Sequence, residues 1–123
     1  MNYIPIQKLA AIAFFAYRIC RGRAVSAVYS YDTSQYYNFS ISSRGPVVGI
    51  FDYQRGNYLT GNKAGSGWSV FDYCDGQYLS FNPMSRGFSV FDYMSGSYID
   101  VDLLPGQIQL FSYAESRYYV FGI

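Results

Sequence analysis

VFDYCDGQYLSF (70–81) is one of five segments that share a single pattern of residues. The other four are VYSYDTSQYYNF (28–39), IFDYQRGNYLTG (50–61), VFDYMSGSYIDV (90–101) and LFSYAESRYYVF (110–121). The second tyrosine of the pattern recurs after 22, 20, 20 and 20 residues, at Tyr36, Tyr58, Tyr78, Tyr98 and Tyr118. Self-similarity at a nearly fixed period indicates a repeat architecture.

Each segment predicts a β-hairpin. Aliphatic and aromatic residues typical of strands flank a polar tetrad that ends in glycine in the three central copies. Glycine at this position can take the left-handed conformation that closes a hairpin loop. An aspartate before the tetrad can accept hydrogen bonds from the N–H groups of the turn. The predicted turn residues are Asp52, Gly56, Asp72, Gly76, Asp92 and Gly96.

The hairpins predict an all-β domain over residues 24–123. Stretches rich in glycine and proline separate the five copies, which are about 20 residues long. Short connections of this kind join antiparallel neighbours, so the expected topology is a meander of ten short strands. The sequence leaves open whether this sheet stays twisted and open or curls into a closed barrel.

A four-residue loop sets the register of each hairpin. It pairs Phe51 with Tyr58 and Ile50 with Leu59, and successive pairs alternate between the two faces of the sheet. One face is then apolar throughout and predicts the core. The other face carries a band of aromatic pairs near the loops, the candidate interface or ligand surface: Phe51, Tyr58, Phe71, Tyr78, Phe91, Tyr98, Phe111 and Tyr118.

Three interpretations of the aromatic band remain open at this point. It could be internal packing, if the sheet rolls into a barrel or its halves stack. It could be an assembly interface, because tyrosine and phenylalanine are enriched where proteins meet. It could also be a platform on which sugars or other flat ligands stack.

Residues 1–23 predict an N-terminal apolar helix. IQKLAAIAFFAYRICR (6–21) is rich in good helix formers, Pro5 suits its start and Gly22 suits its C-terminal cap. A helix apolar nearly all round is expected to be buried on more than one side, against this chain's own sheet or a neighbouring subunit. A signal peptide and an interfacial membrane anchor are the alternatives.

The composition excludes several classes of function. The chain of 123 residues contains 15 Tyr and 10 Phe but no His, which excludes histidine-based triads and metal sites. A net charge of +1 gives no field that would attract nucleic acid. We find no catalytic constellation and no cofactor motif. Cys20 and Cys74 suggest neither a metal site nor a disulfide, which favours a reducing, cytoplasmic compartment over a secreted or surface location.

These observations predict a non-enzymatic structural or assembly protein. We expect it to associate with itself or a protein partner through the aromatic surface and the apolar helix. A small carbohydrate- or ligand-binding module that uses tyrosine and phenylalanine faces is the alternative.

Overall fold

The chain folds into a ten-stranded antiparallel β-barrel around a single helix. The computed structural model describes residues 4–22 and 25–123. Helix α1 (Ile6–Arg21) is followed by β1 (Ala27–Ser30), β2 (Gln35–Ile41), β3 (Val48–Asp52), β4 (Asn57–Ala64), β5 (Gly67–Asp72), β6 (Gln77–Met84), β7 (Gly87–Asp92), β8 (Ser97–Leu104), β9 (Gln107–Ser112) and β10 (Arg117–Gly122). The predicted boundary between helix and repeats, at residues 23 and 24, lies outside the described residues.

The barrel closes through its first and last strands. Consecutive strands pair all the way from β1 to β10, and Tyr29 and Ser30 of β1 then pair with Gly122 and Phe121 of β10. The predicted all-β meander with one N-terminal helix is therefore confirmed, and its closed form is the one adopted. Closure satisfies the backbone hydrogen bonds that an open edge strand would leave unpaired.

The register of the hairpins follows the prediction. Phe51 pairs with Tyr58 and Ile50 with Leu59, and the same pairing recurs in the following hairpins. The aliphatic face points into the barrel, where Ile50 and Leu59 have no exposed surface. The period-2 alternation of each strand thus separates a lumen-facing row from an outward-facing row.

Helix α1 fills the barrel lumen. Every residue from Lys8 to Tyr17 is buried. The Phe14 ring stacks on Phe39 of β2, with centroids 4.5 Å apart, and the Phe15 ring lies 5.5 Å from that of Phe81 in β6. Since β2 and β6 are four strands apart around the barrel, the helix is enclosed from opposite sides. Within the described residues, no helix is both long enough and apolar enough to cross a bilayer.

A gap in the strand lining accommodates the helix. The lumen-facing position occupied by Phe39, Phe81, Val101 and Phe121 in the other repeats is Gly61 in β4. A Cβ atom at Gly61 would lie only 2.6 Å from Cζ of Phe15. The small residue of the barrel wall therefore complements the large residue of the helix.

The five hairpin loops all lie at one end of the barrel, which we call the hairpin end. Gly56, Gly76 and Gly96 have φ values of 67°, 66° and 69°, the left-handed conformation expected of them. Nothing lies within 4 Å of a Cβ built at any of these three glycines. Only the backbone conformation therefore restricts the residue at these positions.

Gly76→Val is expected to destabilise the fold by more than about 1 kcal/mol, because a β-branched residue resists a positive φ. Gly76→Asn is the matched control, since asparagine tolerates this conformation. Urea denaturation followed by tyrosine and tryptophan fluorescence would measure both. Equal midpoints for wild type and the valine variant would contradict the proposed role of the turn.

Candidate functional site

Three aromatic rings form a cluster on the outer face of each repeat. The Phe71 centroid lies 4.7 Å from that of Tyr73 and 4.9 Å from that of Tyr78, and both contacts are edge-to-face. Such contacts add to the stability gained by burying the rings. The five clusters are Tyr29–Tyr31–Tyr36, Phe51–Tyr53–Tyr58, Phe71–Tyr73–Tyr78, Phe91–Tyr93–Tyr98 and Phe111–Tyr113–Tyr118.

Ten tyrosines of these clusters, all except Tyr29, face solvent. Their exposed fractions range from 47% at Tyr58 to 68% at Tyr36. We call this ring the tyrosine girdle: Tyr31, Tyr36, Tyr53, Tyr58, Tyr73, Tyr78, Tyr93, Tyr98, Tyr113 and Tyr118. The interpretation that places the band inside a closed barrel is therefore wrong. Helix α1 and the aliphatic rows already fill the lumen, so the aromatic rows face outward.

Sequence reasoning named four of the ten girdle tyrosines as candidate site residues. It selected the second tyrosine of the last four repeats and treated the first, such as Tyr53, as part of the turn. The alternation of strand residues carries the missing signal: Phe51 points outward, Asp52 inward and Tyr53 outward again. Tyr53 therefore lies beside Phe51 rather than pointing away from the strand.

The girdle forms grooves where one repeat meets the next. The Tyr73 N–H group donates to the Tyr58 carbonyl oxygen at 3.0 Å, and the two side chains border a cavity of about 380 Å³. The Tyr93 N–H group likewise donates to the Tyr78 carbonyl oxygen at 3.2 Å, beside a second cavity of about 380 Å³. Backbone pairing between neighbouring repeats thus brings two phenol side chains to each groove.

A third groove repeats this arrangement with a different residue between its tyrosine walls. Tyr98 and Tyr113 border a cavity of about 410 Å³ that Asp100 also lines. Asp100 occupies the strand position of Thr60 and Ser80 in the other two grooves. The three grooves therefore share tyrosine walls and differ in the polar residue between them.

Asp100 engages one of the phenols. The Tyr113 hydroxyl donates to Oδ2 of Asp100 at 2.7 Å. This hydrogen bond, together with the carboxylate charge, raises the pKa of Tyr113. In this groove the hydroxyl proton of Tyr113 is therefore already engaged by the Asp100 carboxylate.

A second polar cluster lies inside the barrel at the hairpin end. The side chains of Asp52, Asp72 and Asp92 are turned into the lumen and almost fully buried. Their Oδ1 atoms accept the backbone N–H groups of Gln54 at 3.0 Å, Cys74 at 3.0 Å and Met94 at 3.2 Å, respectively. This is the predicted turn contact.

Two cations neutralise much of this cluster, and sequence reasoning did not foresee either contact. Nε of Arg55 lies 2.7 Å from Asp52 Oδ2, and Nη1 of Arg55 lies 2.9 Å from Asp72 Oδ2. Nζ of Lys8 lies 2.7 Å from Asp92 Oδ1 and also pairs with Asp75. Lys8 is the one charged residue in the buried stretch of α1, which is the signal that could have pointed to an ion pair in the lumen. Within the described part of the chain, no group of residues is suited to hold a metal ion.

The stability of the fold is expected to depend on the protonation of Asp72. Burial raises the pKa of Asp72 above its ordinary value of 3.8, although the Arg55 charge opposes the shift. The folded state therefore holds this proton more tightly than the unfolded state. Its stabilising effect is complete below pH 3.8 and is lost as the pH rises through the folded pKa.

Asp72→Asn measures this dependence, because asparagine cannot ionise. The free energy of unfolding of the wild type, relative to Asp72→Asn, is expected to fall as the pH increases from 3.8. Urea denaturation at successive pH values would give this difference. A difference that rises with pH would show that Arg55 outweighs burial.

The comparisons with known proteins leave the function to be inferred from these features. No family model, no curated protein and no solved structure matches this chain.

Proposed function

We propose that the protein is a non-enzymatic carbohydrate-binding module with several related sites on one barrel. The observation that carries the proposal is the repeated groove between the second tyrosine of one repeat and the first tyrosine of the next. It occurs at Tyr58 and Tyr73, at Tyr78 and Tyr93, and at Tyr98 and Tyr113.

The chemistry of these grooves suits a pyranose ring. A sugar presents C–H groups on its faces and hydroxyl groups around its rim. A tyrosine presents an apolar ring face together with a polar hydroxyl, so one residue can contact both parts. Thr60 and Ser80 add hydroxyl groups to their grooves. Aromatic walls with a few polar groups are the usual composition of a small-molecule site.

The scaffold favours binding without reorganisation. The barrel has paired strands throughout, its lumen is filled by α1, and each girdle tyrosine rests against a neighbouring ring. Side chains already held in place lose little conformational entropy when a ligand binds. Repetition of the groove would let several weak contacts act together on one polysaccharide chain.

The test uses an array of neutral and acidic oligosaccharides, followed by isothermal titration calorimetry on those that bind. The variant replaces Tyr58, Tyr78 and Tyr98, one wall of each groove, with serine. Each aromatic contact is worth on the order of 1 kcal/mol, so the loss of three is expected to remove detectable binding of a chain that spans the grooves. Met84→Ser is the control, because Met84 is 51% exposed but lies outside the girdle.

Circular dichroism would establish that the triple variant is folded, as expected for substitutions at half-exposed positions. Binding that survives in the folded variant would overturn the proposal. Wild-type protein that binds no member of the array would overturn it as well.

Self-association through the tyrosine girdle is the second candidate function. A ring of half-exposed tyrosines is a large aromatic surface for a chain of this size, and such surfaces often contact proteins. The apolar stretch Lys8–Tyr17 of helix α1 is buried in the lumen and offers no surface for this role. Similar patches that face outward in several directions would give open assemblies rather than closed dimers.

Light scattering over a dilution series would test self-association. If it occurs, the mass should rise with concentration, and serine at Tyr58, Tyr78 and Tyr98 should restore a monomer. A monomeric mass at every concentration would contradict this candidate.

A further inference from the structure

One groove of the girdle has an additional wall. Strands β4–β5, β6–β7 and β8–β9 are joined by two residues each, whereas residues 42–47 join β2 to β3. This longer loop accounts for the single step of 22 residues in the repeat. Ser42, Arg44 and Val47 of the loop line the cavity that Tyr58 and Tyr73 border.

The loop is held in a defined conformation. The N–H group of Arg44 donates to the Val47 carbonyl oxygen at 2.9 Å, and the N–H group of Val47 donates to the Arg44 carbonyl oxygen at 3.0 Å. The Ser42 N–H group donates to the Gly49 carbonyl oxygen at 2.8 Å. The backbone of Arg44 is therefore fixed beside the groove before any ligand arrives.

Arg44 also brings an unbalanced charge. Arg55, Arg86 and Arg117 each lie within ion-pair distance of an aspartate, whereas no ion pair of Arg44 occurs among residues 4–22 and 25–123. None of the described residues that line its groove is acidic. A guanidinium in this setting can bind a carboxylate through two parallel hydrogen bonds.

We propose that this groove, the Arg44 groove, binds a sugar residue that carries a carboxylate, as in a chain of uronic acids. The inference rests on the proposed carbohydrate-binding function and names the ligand class of one of its sites. The sugar ring stacks between Tyr58 and Tyr73. Thr60 and Asn57 form hydrogen bonds with its hydroxyl groups, and Arg44 binds its carboxylate.

The Asp100 groove provides an internal contrast. Its tyrosine walls, Tyr98 and Tyr113, correspond to Tyr58 and Tyr73, yet it has an acidic residue where the Arg44 groove has Thr60. The two-residue connections leave it without a basic wall. The carboxylate of Asp100 would repel an acidic sugar, so the two grooves should differ in the charge they accept.

The experiment compares a galacturonic acid hexamer with the matched neutral galactose hexamer and with a sulfated galactose hexamer. Wild-type protein, Arg44→Gln and Arg86→Gln are titrated by calorimetry at low and moderate salt. Arg86 is the matched control. It is exposed and lies in the β6–β7 connection, at the same end of the barrel as Arg44. It lines none of the described tyrosine grooves.

We expect wild type to bind the acidic hexamer more tightly than the neutral one. Arg44→Gln should weaken binding of the acidic hexamer by about tenfold or more, because it removes the charge-assisted hydrogen bonds to the carboxylate, and should leave binding of the neutral hexamer unchanged. Arg86→Gln should change neither. A preference for the sulfated over the galacturonic acid hexamer would overturn the carboxylate assignment.

The outcomes separate this inference from the proposed function. Neutral and acidic hexamers that bind equally, with no effect of Arg44→Gln, would overturn the Arg44 groove and leave the carbohydrate-binding module intact. Equal weakening by Arg44→Gln and Arg86→Gln would reveal a general charge effect and overturn the groove as well. Failure of wild type to bind any oligosaccharide on the array would overturn both.

Discussion

A chain that lacks residues 1–22 is expected to lose the barrel fold and to aggregate. The deletion removes the filling of the lumen, including Leu9, Ile12, Phe14 and Phe15, which have no exposed surface. Each large apolar side chain of this kind stabilises the fold by about 1.5–3 kcal/mol. Their sum is comparable to the whole stability of a typical domain, about 5–15 kcal/mol.

Size-exclusion chromatography, circular dichroism and binding of a hydrophobic dye would follow the deletion. The expected result is aggregated material, or an expanded species that binds the dye. Phe15→Ala is the milder companion variant. This variant should remain folded, but its free energy of unfolding should fall by about 3–5 kcal/mol, because the cavity opposite Gly61 cannot close fully. A deleted chain that is monomeric and melts like wild type would show that the helix is dispensable.

Much of the barrel could be predicted from local patterns. The alternation around Ile50, Phe51 and Asp52 sets which side chains share a face, and the glycine of each tetrad sets the loop length. Together they gave the register and the meander. The all-round apolar character of α1 also predicted burial on more than one side.

Closure of the barrel was beyond these local patterns. It depends on whether the helix matches the lumen in volume, and the contact between Phe15 and the space at Gly61 joins positions 46 residues apart in the chain. The aromatic face points outward for the same reason, since the helix and the aliphatic side chains already fill the lumen. The sequence therefore identified Tyr58 and Tyr78 as candidates and left their exposure open.

The polar parts of the molecule were harder still to predict. Lys8 lies 67 residues from Asp75 and 84 from Asp92, so no local pattern connects them. Arg44 lies in the one connection that breaks the 20-residue period, and an irregular loop carries no repeat signal. Lys8 and Arg44 both lie outside the five repeated segments, so the repeat pattern carries no information about their roles.

Lys8→Met is expected to destabilise the protein by about 3–5 kcal/mol, because it leaves a buried charge without its partner. The Asp92 carboxylate is 1% exposed and, among the residues that the structure describes, would keep only the Met94 N–H group and the Ser95 hydroxyl as donors. Asp75 loses the same ammonium, but its side chain is 20% exposed and can be hydrated. The cost should therefore arise mainly at Asp92.

Combining Lys8→Met with Asp92→Asn should recover much of the lost stability. Methionine fits an apolar lumen, and an asparagine amide oxygen can still accept the Met94 N–H group without a buried charge. Urea denaturation of wild type, both single variants and the double variant forms a double-mutant cycle that isolates the interaction of the pair. Additive effects would show that Lys8 and Asp92 act independently. A strong coupling would show that this ion pair fastens the first turn of α1 to the hairpin end of the barrel.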